Sequence, residues 1–135
     1  MSKDASLTGR WHGRYTYGAG MEGEAFEAEI AESGGAIQGD TYERAEHSDG
    51  FHGMRHGRLD GVRTGAAIAF VKRYAPGHGH QQPIRYEGGV SADGTEIEGD
   101  WFIAPGARGR FLMIRDSAKP QDIAAKAEEN SPLGQ

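Results

Sequence analysis

One hairpin constrains this chain more than any other stretch. From Gly94 to Arg115, Ile97, Gly99, Trp101 and Ile103 alternate with Glu96, Glu98, Asp100 and Phe102. Side chains two apart on a strand share a face, so a Trp lies on one face and acids on the other. Pro105-Gly106 reads as a turn. The returning strand then carries Gly109, Phe111, Met113 and Arg115 on one face. A lone hairpin is marginal in water, so this one requires more strands beside it.

The rest of the chain supplies them. Leu7 to Tyr17 places Gly9, Trp11, Gly13, Tyr15 and Tyr17 on one face, against Arg10, His12, Arg14 and Thr16. Glu24 to Ala31 sets Phe26, Ala28 and Ile30 against Glu27 and Glu29. Ala36 to Arg44 and Phe51 to Leu59 read as strands three and four, with Asp60-Gly61 as a hairpin turn. Thr64 to Tyr74 is the longest apolar strand, and Ile84 to Val90 the sixth. Glycine, 22 of 135 residues, punctuates these segments instead of forming a run, which suits turns, bulges and sharp bends. Eight short strands with no crossover helix predict an all-β antiparallel meander, and such a meander loses its exposed edges by closing into an up-and-down barrel. The barrel domain is expected over residues 1–115. Residues 116–135 form a polar tail, with a short helix expected around Ala124, Ala125 and Ala127 and Ile123 able to dock it on the barrel wall.

The opening Leu7-Thr8-Gly9-Arg10-Trp11 resembles the Gly-x-Trp start of lipocalins and avidin-like proteins, the calycin group. The wider pattern looks like that of uncharacterised bacterial calycin-like proteins: Trp11-x-Gly13-x-Tyr15-x-Tyr17, Phe70-x-Lys72-x-Tyr74, Gly99-x-Trp101 and Gly109-x-Phe111. The resemblance spans roughly residues 7 to 115. It implies an eight-stranded barrel whose first-strand Trp packs at the closed end under a basic residue of the last strand, with Arg115 the best match and Arg110 second.

If the faces of Trp11 and Trp101 point inward, the interior holds Tyr15, Tyr17, Phe70, Lys72, Tyr74, Tyr86, Trp101, Phe111 and Met113. That is an aromatic lining with a few polar tips, the usual makeup of a ligand site, and a barrel of eight strands can hold one small molecule. The ligand expected is apolar or aromatic, with a carbonyl, phenol or carboxylate for Lys72, Tyr74 and Tyr86. The same residues in a filled core would be packing aromatics with wet hydroxyls. Lys72 is the sharpest signal. On an inward face it pairs with an acidic group of the ligand, or loses its proton and serves as base or Schiff-base amine, or extends its stem to water at the mouth. A cofactor-free isomerase, cyclase or lyase using Lys72 or Tyr86 for proton transfer is the alternative function, and a self-assembling module with a filled core is a second alternative.

Other chemistries find little footing. His52 and His56 would lie about 13 Å apart along one strand, too far to share an ion. His78-Gly79-His80 sits in a loop, and no set has zinc spacing, so neither metal nor cofactor is expected. There is no Gly-x-Ser-x-Gly elbow or phosphate-binding loop. A net charge of −5 with scattered basic residues argues against nucleic acid. No apolar run reaches the length of a membrane-spanning helix, and the N-terminus lacks an apolar leader. With no cysteines, a cytoplasmic location is the expectation. Phe102, Leu112 and Ile114, all outward, offer a face for a homo-oligomer. Asp40, Glu43 and Arg44 fall on a strand of uncertain facing: one facing brings an acid into the cavity, the other leaves it solvated, as carboxylates on such strands normally are.

Overall fold

The computed structural model describes residues 6–17, 24–46, 52–77 and 82–116. Eight strands follow in chain order: β1 (Gly9–Thr16), β2 (Glu24–Ser33), β3 (Ala36–Glu46), β4 (His52–Thr64), β5 (Ala67–Tyr74), β6 (Ile84–Val90), β7 (Glu96–Ile103) and β8 (Ala107–Arg115). Each pairs antiparallel with the next, and β8 returns to β1 with Trp11 opposite Arg115 and Tyr15 opposite Phe111, closing the barrel. The helix expected in the tail lies outside the described residues.

Alternation decides which way each strand faces. β2 buries Phe26, Ala28 and Ile30 while the acids between them are exposed, and β5 buries Ile68, Phe70, Lys72 and Tyr74. Glycines on the inward face let the sheet bend sharply. Gly88 on β6 lies opposite Gly99 on β7, and a Cβ on Gly99 would meet the Gly88 Cα and the Glu87 backbone. The strands approach there more closely than any side chain permits. Asp60-Gly61 is not a turn. β4 runs through it to Thr64, and the chain reverses at Gly65, whose φ is +61°. Gly61 faces inward, where the missing Cβ leaves room for Phe70 of β5 to pack against it. Close approach, not chain reversal, explains this glycine.

The two ends differ. At one, Leu7 and Trp11 are fully buried, and the indole N–H donates to the Leu7 carbonyl at 3.0 Å. The Arg115 guanidinium lies 5.2 Å from the Trp11 ring and donates to the carbonyls of Thr8 (2.7 Å) and Gly94 (3.2 Å). Arg115, not Arg110, thus takes the place the resemblance implied. The Glu32–Arg63 ion pair (3.0 Å) adds a clasp, with Glu32 also accepting the Leu7 N–H. The opposite end carries the β1–β2, β3–β4, β5–β6 and β7–β8 connections, and the polar interior lies towards it.

Candidate functional site

β3, like β4, was a strand whose facing the alternation left open. It turns Ile37, Gly39, Thr41 and Glu43 inward and Gln38, Asp40 and Tyr42 outward. Glu43 is therefore in the interior, 3 % exposed, beside Lys72 at 1 %. Lys72 does not reach water at the mouth: its ammonium donates to Glu43 Oε1 at 3.2 Å. Glu43 Oε2 accepts the hydroxyls of Tyr15 (2.8 Å) and Tyr74 (3.0 Å). Three donors thus converge on one carboxylate, from β1 and β5.

Aromatic rings enclose the ammonium. Lys72 Nζ lies 4.8 Å from the Tyr74 ring centroid, 5.1 Å from those of Tyr15 and Phe26, and 5.5 Å from that of Tyr86. Those distances suit cation–π attraction, which strengthens on desolvation. Arg55, opposite Glu43 on β4, is buried with its guanidinium 4.8 Å from the Tyr74 ring, and was not singled out from the sequence.

The Lys72 pKa is raised. Burial alone would lower it, but Coulombic attraction and hydrogen bonding from Tyr74 and Glu43 outweigh burial. An ammonium so held keeps its proton and acts as a hydrogen-bond donor to Glu43. Burial, reinforced by nearby Tyr74 and Glu43, pushes the Tyr15 phenol upward. Burial pushes Tyr74 up to about 12 against the opposing pull of Lys72. Tyr86 is raised well above its ordinary value, again chiefly by burial.

These shifts have one sign. Each folded-state value lies above the unfolded one, so the native barrel holds these protons more tightly. The associated stability is complete below about pH 10 and is lost as pH rises towards about 12. Denaturant midpoints are accordingly expected to stay level between about pH 8 and 9.5 and to fall steeply above about 10.5, with phenolate absorbance appearing in step with unfolding. Early phenolate absorbance from all five tyrosines in a still-folded protein would contradict the burial.

Two buried side-chain atoms in this region make no hydrogen bond, Thr41 Oγ1 and Arg55 Nε. Thr41 Oγ1, fully buried, makes no hydrogen bond. It lies close to Gly57 and the Lys72 stem, since a Cβ on Gly57 would sit 2.7 Å from Thr41 Oγ1 and 3.2 Å from Lys72 Cγ. No described residue hydrogen-bonds the Tyr86 hydroxyl; its ring stacks on Phe70 at 4.8 Å and meets Phe111 edge-on at 5.0 Å. Among the residues expected inside, Tyr15, Phe70, Lys72, Tyr74, Tyr86, Trp101, Phe111 and Met113 are all buried. Tyr17 is not: it follows β1 and is 47 % exposed, edge-on to Trp101 (5.6 Å) and Tyr15 (5.9 Å). It marks the rim. The Trp101 indole donates to the Thr16 carbonyl at 2.9 Å, above Gly109, where a Cβ would displace it.

His56 points outward, stacked on Tyr42 and bonded to Asp40 at 2.8 Å. Among the described residues no three His, Asp or Glu side chains are placed to hold an ion. No described helix is long and apolar enough to cross a membrane. The outward apolar face is not contiguous as expected: Phe102 lies opposite Arg108, whereas Leu112 lies opposite Glu98, about 13 Å further along β7.

Two solved structures share this architecture. One is a redesigned β-barrel, 13 % identical, with a TM-score of 0.61 over 82 % of this chain and 92 % of that one. The other is a de novo designed fluorescence-activating β-barrel, 18 % identical, with a TM-score of 0.57 over 86 % of this chain and 100 % of that one. At these identities the likeness is one of fold. No protein-family model matches the sequence, and no curated protein matches it significantly.

Proposed function

We propose that the barrel binds a small, neutral aromatic molecule at its loop end, beside the Glu43–Lys72 pair. One observation carries this reading: a charged pair is buried among aromatic rings, that of Tyr86 included, with the Thr41 hydroxyl beside it making no hydrogen bond. A barrel needing only a core gains nothing from such a pair, because apolar residues of similar volume are commonly as stabilising or more so. An unpartnered buried hydroxyl is itself costly and calls for a ligand or a water.

The chemistry of the site narrows the ligand. Lys72 is already neutralised by Glu43, and Arg55 is engaged as well. A ligand carboxylate would have to displace Glu43 and leave that charge buried, which is strongly disfavoured. A carbonyl or phenol needs only the Tyr86 hydroxyl as donor and Thr41 as a second partner. Tyr17, exposed and edge-on to the buried Trp101, marks the rim at this end. The fluorescence-activating designed barrel of like fold agrees with an eight-stranded barrel as a receptacle for a small molecule. Membership of the calycin group and a cytoplasmic location fit the same reading.

Native mass spectrometry of protein purified from cell extract tests it. The expected spectrum shows one retained neutral molecule on the wild type and none on a Thr41→Val/Tyr86→Phe variant, which keeps the ion pair and removes the two hydroxyls. Equal retention by both would break the link between ligand and site.

A further inference from the structure

The outer wall carries a second feature, unconnected with the interior. A groove of about 580 Å³ runs across β5 to β8 near the loop end, a volume typical of small-molecule pockets. The strand registers build its floor. Val71 lies opposite Arg85, Arg85 opposite Phe102, and Phe102 opposite Arg108, so apolar and guanidinium side chains alternate across four strands. Arg73 adds a third cation to the lining, and Ile103 another apolar contact. Arg108 sits 5.5 Å from the Phe102 ring.

The charges here are poorly compensated. Arg85 meets Glu87 at 3.6 Å in an exposed pair, but among the described residues neither Arg73 nor Arg108 forms an ion pair. Three guanidinium groups around one apolar floor repel one another, in a protein whose net charge is −5. An anion relieves that repulsion. Arginine forks suit a carboxylate or sulfonate bidentately, and the half-buried Phe102 ring between two of them suits a flat apolar body.

We infer that this groove is a binding site for planar aromatic anions, distinct from the interior site in place and in the charge it selects. The probe is 2-naphthoate, followed by the amide and indole N–H shifts of the whole chain, with 2-naphthol as the uncharged counterpart. Saturable shifts are expected at Arg85, Phe102 and Arg108, with the Trp101 indole N–H unmoved, and affinity should fall as salt rises. An Arg73→Glu/Arg108→Glu variant should bind about tenfold more weakly or worse, and Phe102→Ala should also lose affinity. All three positions face outward, so the barrel is retained, which circular dichroism verifies. No saturable binding to wild type, shifts centred on Trp101, or unchanged affinity after charge reversal would each overturn the inference. Failure here leaves the interior proposal standing, because 2-naphthol reports on that site separately.

Discussion

Glu43→Leu is expected to destabilise the barrel by about 3–5 kcal/mol, the usual cost of removing one member of a buried pair. The leucine fills part of the space, but the Lys72 ammonium loses its counter-charge while remaining 1 % exposed. The four surrounding rings soften this without replacing a carboxylate. The Tyr15 and Tyr74 hydroxyls lose their acceptor at the same time. Lys72→Met should cost somewhat less, since Glu43 keeps both tyrosine donors. The double variant Glu43→Leu/Lys72→Met should recover most of the loss, because it removes both charges and leaves apolar groups of similar size. Denaturant unfolding of the four proteins closes the cycle. Single variants within about 1 kcal/mol of wild type, or a double variant whose loss is the sum of the two, would show a solvated pair instead.

Gly99→Val is expected to cost about 3 kcal/mol, near the upper end for overpacking. The collision is with backbone, the Gly88 Cα and the Glu87 carbonyl of the neighbouring strand, which cannot rotate away as a side chain can. Relief requires β6 and β7 to part where the barrel wall bends. Glu98→Val, one residue earlier on the exposed face, adds the same branched side chain without that contact and should be near neutral. If both substitutions behaved alike, close approach at Gly99 would not be the reason for the glycine.

The fold was legible because most strands bury one face only. Trp11, Phe26, Phe70, Tyr86, Trp101 and Phe111 sit in runs whose alternate positions are charged or exposed, and this fixes both strand and facing. β3 and β4 were harder. Inward Gly39 and Thr41 are no more apolar than outward Tyr42, so only Ile37 marks the phase. Counting by twos from Ile37 reaches Glu43, and counting back from Leu59 reaches Arg55. Those were the signals available for Glu43, whose facing was left open, and for Arg55, which was missed. Lys72 was recognisable from Phe70 and Tyr74, but its burial was not. Its partner lies 29 residues away on a strand that is not adjacent, and sequence periodicity carries no information about such a pairing. Asp60-Gly61 misleads for a different reason: a glycine needed for close approach and one needed for a turn look the same in one dimension.

The central claim is that the loop end of the interior is a site and not only a core. The most direct test is a titration with 2-naphthol, read by the Trp101 indole N–H and the ring resonances of Tyr86 and Phe70. The account predicts saturable shifts at all three, abolished in the Thr41→Val/Tyr86→Phe variant while that variant stays folded. Unmoved interior resonances up to the solubility limit of the probe, in a folded wild-type barrel, would contradict it and leave the Glu43–Lys72 pair as part of a closed core.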